Sequence, residues 1–227
     1  MYSGSGLPNI KESNRHPAMN KLLHRGARLA RNLVLDLRFG AFLGGAAKRS
    51  PFAHLGANQS NNSDYGTLDQ IFKDQINASD VLVDVGCGRG RVINWWLSRG
   101  LKNPIYGLEL DPELAGEVSA RLKRWQNVSI LAGSALDNLP SNATLLYLFN
   151  PFNEQVMSEF RDRVFERCKD KARLKILYYA PEHLSVFEAD GRWDVQRIEL
   201  DMGHEVNYSE RHRWLALVRP RLMGDAG

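Results

Sequence analysis

A chain of 227 residues is long enough for one α/β domain with an appendage, or for two small domains. Its 43% hydrophobic and 25% charged residues are the mixture of a folded protein, which excludes a chain disordered throughout, and no recurring period points to a repeat or fibrous architecture. No apolar run reaches the roughly 18 residues that a bilayer span requires, because the longest candidate, Leu33 to Ala47, is broken by Asp36 and Arg38.

The charge is unevenly placed. Residues 1–50 contain nine Lys/Arg against Glu12 and Asp36, whereas the other 177 contain 21 basic and 24 acidic residues. The excess behind a pI of about 9.1 therefore belongs to the first fifth of the chain. A mildly acidic body with a basic leader suggests two parts with different tasks. Two cysteines, Cys87 and Cys168, are too few for a disulfide framework or a cysteine zinc site. The opening residues lack the charged-then-apolar order of a secretory signal, so the expected setting is cytoplasmic, with free thiols.

Residues 1–19 are rich in Gly, Ser, Asn and Pro. From Asn20 to Phe39 the pattern turns helical: Leu22, Leu29, Leu33 and Leu37 recur at spacings of seven and four, with Arg25, Arg28, Arg31 and Arg38 at other positions. Such a helix either packs its stripe on its own domain or meets an anionic surface. Gly40 to Asn62 has turn composition and reads as a linker or lid.

A regular alternation follows. The pattern predicts helices over Thr67–Ile76, Arg91–Arg99, Asp111–Trp125 and Asn153–Cys168, and strands over Val81–Val85, Ile105–Leu110, Val128–Ala132, Thr144–Phe149 and Leu174–Tyr179. Asp111-Pro112 carries a capping side chain followed by proline at the first helical position. Trp193–Leu200 and His212–Val218 then read as two strands without a helix between them, and so as an antiparallel pair. The expected fold is a doubly wound, Rossmann-like α/β sheet with helices on both faces. It is parallel for five strands and closed by a C-terminal antiparallel pair.

The strongest local signal is Val81-Leu82-Val83-Asp84-Val85-Gly86-Cys87-Gly88-Arg89-Gly90-Arg91. A buried strand enters a turn with three glycines in five residues, and a helix follows whose free N–H groups face any ligand there. In the dinucleotide fingerprint G-x-G-x-x-G the third glycine comes one residue later, where this chain has Arg91. Asp84 inside the strand is also foreign to that motif. Hydrophobic-Asp-hydrophobic-Gly-x-Gly-x-Gly resembles motif I of class I S-adenosylmethionine-dependent methyltransferases. Glu109, 19 residues after Gly90, closes the next strand, where a carboxylate can accept bonds from both ribose hydroxyls. The resemblance covers about residues 64–220. It implies S-adenosylmethionine as cofactor, held by Asp84, Gly86, Cys87, Gly88, Gly90, Glu109 and Leu110, with Ser134 and Ala135 near the adenine. In the family an acid often stands where this chain has Ser134.

The fourth predicted strand ends in Phe149-Asn150-Pro151-Phe152, at the carboxyl end where ligands of open parallel sheets bind. Asn150-Pro151-Phe152 looks like a shortened relative of the Asn/Asp-Pro-Pro-aromatic sequence of amino-directed methyltransferases, without its second proline. With Asp64-Tyr65-Gly66-Thr67 it is also similar to non-SET histone-lysine methyltransferases and their small bacterial relatives. There the Tyr-Gly-Thr segment closes over the methionine end of the cofactor, which implies Thr67 as a contact. Asn150, Pro151, Phe152 and Tyr65 are thus the expected transfer-site residues, and Asn150 also borders the cofactor. Asn150 as a turn residue and Tyr65 as packing are the alternatives. Glu205, in Met202-Gly203-His204-Glu205, could face the acceptor. His183, His204 and His212 lack metal-ligand spacing, so no metal is expected.

The expected organisation is a basic extension with linker over 1–62 and a cofactor-binding domain over 63–227. The expected activity is methyl transfer to an amine nitrogen of a protein or small molecule. The alternatives are a non-catalytic nucleoside-binding module and, disfavoured by the loop spacing, a nicotinamide-dependent oxidoreductase. Residues 20–49 suggest peripheral docking on an anionic membrane surface or an acidic partner, with nucleic acid ranked behind.

Overall fold

Among the described residues, seven strands form one sheet in the order β3-β2-β1-β4-β5-β7-β6. This computed structural model describes residues 17–44, 52, 54, 56–58, 63–201 and 210–222. The strands are β1 Leu82–Val85, β2 Ile105–Glu109, β3 Val128–Ala132, β4 Leu145–Phe149, β5 Lys175–Tyr179, β6 Trp193–Glu199 and β7 Trp214–Pro220. The first five pair in parallel, with Leu82 opposite both Ile105 and Leu145. β7 is antiparallel to both β5 and β6, so the last strand slots between its two predecessors.

Side chains alternate across this sheet as period-two geometry requires. Leu145 and Tyr147 of β4 enter one core layer, and Leu146 and Leu148 enter the other. The first layer is covered by α2 (Tyr65–Ile71), α3 (Arg91–Ser98) and α4 (Pro112–Leu122), the second by α5 (Ala135–Asn138), α6 (Glu154–Arg167) and α7 (Ser185–Glu188). The local signals act as their chemistry dictates. Asp111 caps α4 through Glu113 N–H and Leu114 N–H, and Asn153 caps α6 through Val156 N–H. The four-residue helices α5 and α7 and a 3₁₀ turn at Glu210–Arg213 were not expected from the sequence.

The remaining helix, α1 (Pro17–Arg38), lies against α2 and α3. Its orientation inverts the amphipathic rule. Leu29, Leu33 and Leu37 are exposed, while Asp36 is buried. Asp36 Oδ1 accepts from Tyr65 O–H (2.9 Å) and Arg91 Nε (3.2 Å), and its Oδ2 accepts from Arg91 Nη2 (2.6 Å) and Leu43 N–H (3.2 Å). One turn earlier, Asn32 Nδ2 donates to Asp64 (2.6 Å) and its Oδ1 accepts from Tyr65 N–H (3.3 Å). Arg31 pairs with Asp69, which also holds Arg99. Directional polar bonds, together with the half-buried Leu35, attach α1 to the domain. Phe39 and Leu43, just past its end, are buried, and Phe39 lies 5.3 Å from Trp125. The expected leucine packing is therefore absent at the described leucines. The side chain of Leu22 and residues Met202–Glu205 lie outside the described residues.

Candidate active site

The turn after β1 is the floor of a cleft of about 1630 Å3. A site for one drug-sized ligand is typically about 300–1,000 Å3, so this cleft has room for a nucleoside cofactor and an acceptor together. Gly86, Gly88 and Gly90 all have positive φ, at 73°, 51° and 77°, a backbone that only glycine adopts at little cost. A Cβ on Gly90 would also come within 3.0 Å of Val118 Cγ1 on α4, so this glycine provides close packing as well.

Ten of the expected residues share the lining. Asp84, Gly86 and Cys87 come from β1 and its turn, and Glu109 and Leu110 from the end of β2. Ser134 and Ala135 follow β3, and Asn150, Pro151 and Phe152 follow β4. Gly88 acts through its backbone, donating its N–H to Glu109 Oε2 (2.7 Å), and Gly90 is the N-cap of α3. Tyr65 and Thr67 are placed elsewhere: both are buried in α2, and the Tyr65 hydroxyl is held by Asp36. Their neighbours Ser63 and Asp64 line the cleft instead. Asp36 draws the Tyr65 ring under α1, a contact across 29 residues that no local pattern announces.

The carboxylates at the cofactor end are electrostatically unusual. Glu109 Oε1 accepts from Asp111 N–H (3.0 Å) while Oε2 holds Gly88. Burial raises its pKa, and these backbone bonds partly counter the rise. Asp84 is only 3% exposed, and its Oδ2 has no hydrogen-bond partner. Burial, aided by the Glu109 charge, pushes its pKa up to about 8. Burial also raises the Cys87 thiol well above its ordinary range, so that thiol stays protonated. Ser134 caps α5, its Oγ accepting from Leu136 N–H (3.2 Å), which leaves its hydroxyl proton available to a ligand.

The side of the cleft beyond the ends of β4 and β5 is aromatic. Phe149 lies 4.7 Å from Tyr179, and the His212 ring packs edge-on at 5.8 Å from both. Sequence reasoning missed Tyr179 and Phe149 as wall residues and treated His212 only as a failed metal ligand. The available signal was that β4 and β5 both end in aromatic residues at the carboxyl edge of a parallel sheet. Asn150, at φ 44°, is fully engaged. Its Nδ2 donates to Ala180 O (2.6 Å), and its Oδ1 accepts from Tyr178 O–H (2.8 Å) and Glu182 N–H (3.0 Å). The linker closes on the same loop: Ala57 bridges Phe152, Asn58 N–H donates to Pro151 O (3.0 Å), and Asn153 N–H donates to Gly56 O (2.8 Å).

Comparison with known proteins decides between the families that use such a loop. Residues 83–170 match the model of a methyltransferase domain. Residues 83–170 carry a methyltransferase domain, and the fold is that of class I S-adenosylmethionine-dependent methyltransferases. Over 147 residues, 61% of the chain, the protein is 27% identical to a probable ribosomal RNA small subunit methyltransferase A of Methanosarcina acetivorans, and it spans about half (49%) of that relative's length. It superposes on the crystal structure of S-adenosylhomocysteine-bound methyltransferase PaMTH1 of Podospora anserina with a TM-score of 0.56 and 14% identity, over 95% of this chain and 100% of that one. For an RNA methyltransferase of Salinibacter ruber, also bound to S-adenosylhomocysteine, the values are 0.52 and 19%, over 70% and 93%. At these identities the structural likeness is one of fold. The cofactor is S-adenosylmethionine, and the residues present fit it. The unpartnered, buried Asp84 oxygen complements a cationic amino group, and the Glu109 carboxylate complements vicinal hydroxyls.

Proposed function

We propose that this methyltransferase moves the methyl group of S-adenosylmethionine to an amine nitrogen of a protein or small molecule. The observation that carries the reading is the side-chain amide of Asn58. Its Nδ2 donates to the carbonyl oxygens of Asn150 (3.0 Å) and Phe152 (2.8 Å). Two carbonyls converge on one NH2 nitrogen at the cleft wall, and an acceptor amine that displaces this amide meets the same pair. The lining supports the reading: apart from the protonated Asp84 and the Asp36–Arg91 pair it holds six carboxylates against Arg28 and Arg89, a balance that attracts a cation and repels a polyanion. The rings of Phe149 and Tyr179 add faces on which an ammonium is stabilised.

In this reading Asp84 takes the cofactor's amino group, Glu109 its ribose hydroxyls, and Ser134 and Ala135 border its adenine. When bound, the cofactor supplies a methyl group on a sulfonium with a neutral thioether as leaving group, and an acceptor that arrives as an ammonium gives its proton to bulk water before its nitrogen attacks. The chain's own task is to orient the nitrogen and keep water out, and orientation alone can supply about 7–11 kcal/mol of barrier lowering. The carbonyls of Asn150 and Phe152 orient. Phe149, Pro151 and Phe152 exclude water.

An RNA base amine is the second reading, favoured by the names of the Methanosarcina acetivorans and Salinibacter ruber relatives. Incorporation of labelled methyl from the cofactor into lysate fractions, followed by nuclease or protease digestion, separates the two. Nuclease-resistant label at nitrogen is the expected result. Nuclease-released label would establish the RNA reading, and label at oxygen would overturn the amine assignment.

A further inference from the structure

We propose that the outer face of α1 docks on an anionic lipid bilayer and so brings the mouth of the cleft to the membrane surface. The proposal does not depend on which acceptor the cleft takes. An α-helix turns roughly 100° per residue, which sorts α1 into two faces. The face toward α2 and α3 carries Arg28, Asn32, Leu35 and Asp36. The opposite face carries Leu23, Ala27, Ala30, Leu33, Val34 and Leu37, and every one of them is exposed. Leu23, Val34 and Leu37 are 67%, 65% and 57% accessible, with Phe42 beyond the helix end at 58%. Such a continuous apolar stripe on a folded surface marks an interaction site.

Charge selects the occupant. From Lys21 to Arg38 the helix carries five basic residues and one acid; Asp36 is buried against Arg91, Arg28 and Arg31 pair with Asp64 and Asp69 of the body, and Arg25 and Arg38 are exposed. A second copy of the chain packed on this stripe would bring two such helices together with no acid between them. A nucleic acid would use the arginines but leave the leucines in water. A bilayer with anionic headgroups meets both needs, because surface-lying helices bury a leucine face while basic residues meet the phosphates. The stripe is also continuous with the site: Leu29, Ala30, Leu33 and Phe42 line the cleft mouth. Among the described residues no helix is long and apolar enough to cross a membrane, so α1 would lie on the surface.

The test is co-sedimentation of the full chain with vesicles of phosphatidylcholine alone or mixed with phosphatidylglycerol. Binding is expected only to the mixed vesicles, and it should weaken severalfold near 1 M salt, where the Debye length is roughly 3 Å. Leu23→Ser with Val34→Ser and Leu37→Ser should lower partitioning by at least about tenfold, with S-adenosylhomocysteine affinity and Tm kept. These three side chains lie outside the cleft lining. As a readout that keeps the stripe, Val34→Cys can be labelled selectively with an environment-sensitive dye because Cys87 and Cys168 are buried. A blue shift on mixed vesicles is expected there, and none from a dye at the exposed position 194 on β6. Unchanged vesicle binding by the triple variant overturns the proposal. So does a chain that ignores vesicles, or light scattering that shows the triple substitution splitting a dimer.

Discussion

Replacing Asp84 by asparagine should trade affinity for stability. A buried carboxyl held near pKa 8 keeps its proton in the folded cofactor-free chain, while in the unfolded chain it ionises near 3.8. Between about pH 4 and about pH 8 the folded state therefore binds the extra proton, and stability falls as pH rises, by up to about 1.4 kcal/mol per pH unit. Asparagine removes that slope. Across pH 5 to 7 the difference accumulates to as much as about 2.7 kcal/mol, on the order of 5–10 °C in Tm for a chain of this size. Asp84→Asn should thus melt increasingly above wild type as pH rises through this window. It should also lose about 2–5 kcal/mol of S-adenosylhomocysteine affinity, the range for truncating one partner of a buried charge pair. Calorimetry in two buffers of different ionisation enthalpy at pH 7 should show wild type releasing up to about one proton per ligand bound, and the variant releasing less. Parallel pH–Tm curves for the two proteins would refute the protonated state of the buried carboxyl, and equal affinity with equal proton release would refute the assignment of Asp84 to the cofactor's amino group.

Glu109→Gln should weaken S-adenosylhomocysteine binding by about 1.5–3 kcal/mol, read by calorimetry, because a neutral amide is a poorer acceptor for two hydroxyls. Asp36→Ala leaves Arg91 buried and uncompensated, and should cost about 3–5 kcal/mol in denaturant unfolding. Asp36→Leu combined with Arg91→Met should recover most of that loss. Asn150→Ala deprives Tyr178 O–H, Glu182 N–H and Ala180 O of a shared partner, so Tm should fall along with turnover. Asn150→Asp, which still accepts from Tyr178 and Glu182, should restore part of the stability. A wild-type Tm for Asn150→Ala would remove the clip between β4 and β5.

Much of the cofactor half was legible because its causes are local. The run Leu82–Val85, apolar apart from Asp84, is buried along its whole length as a central parallel strand must be, and three closely spaced glycines signal three positive-φ positions in one turn. Asp111-Pro112 announces its helix through chemistry within one turn. The acceptor half was legible only in part, because its contacts are made by topology. Phe149, Tyr179 and His212 meet because β7 slots between β5 and β6, and nothing near His212 in sequence encodes that order. Asn150 was expected to face the acceptor. Its side chain instead reaches Ala180 and Glu182, 30 and 32 residues away. The four-residue helices α5 and α7 are too short for a 3.6-residue period to register.

The hardest feature to read was the roll of α1, and the physics explains why. Its leucine spacing states that an apolar stripe exists, but a stripe is non-directional and packs wherever apolar area is available. Hydrogen-bonded ion pairs are directional. Asp36, forked onto Arg91 and bonded to Tyr65 and Leu43, accepts four bonds at 2.6–3.2 Å, and a rotation of one residue would break them all. Such a buried pair adds little net stability against an apolar replacement, because desolvation offsets the attraction. What it adds is angular specificity. The deciding residues, Asp36 and Arg91, lie 55 positions apart and neither belongs to the leucine pattern. A sequence whose most hydrophobic stripe points away from its own core has spent polar contacts to hold it there. That arrangement leaves part of the stripe, Leu29, Ala30 and Leu33, lining the cleft and the rest facing outward.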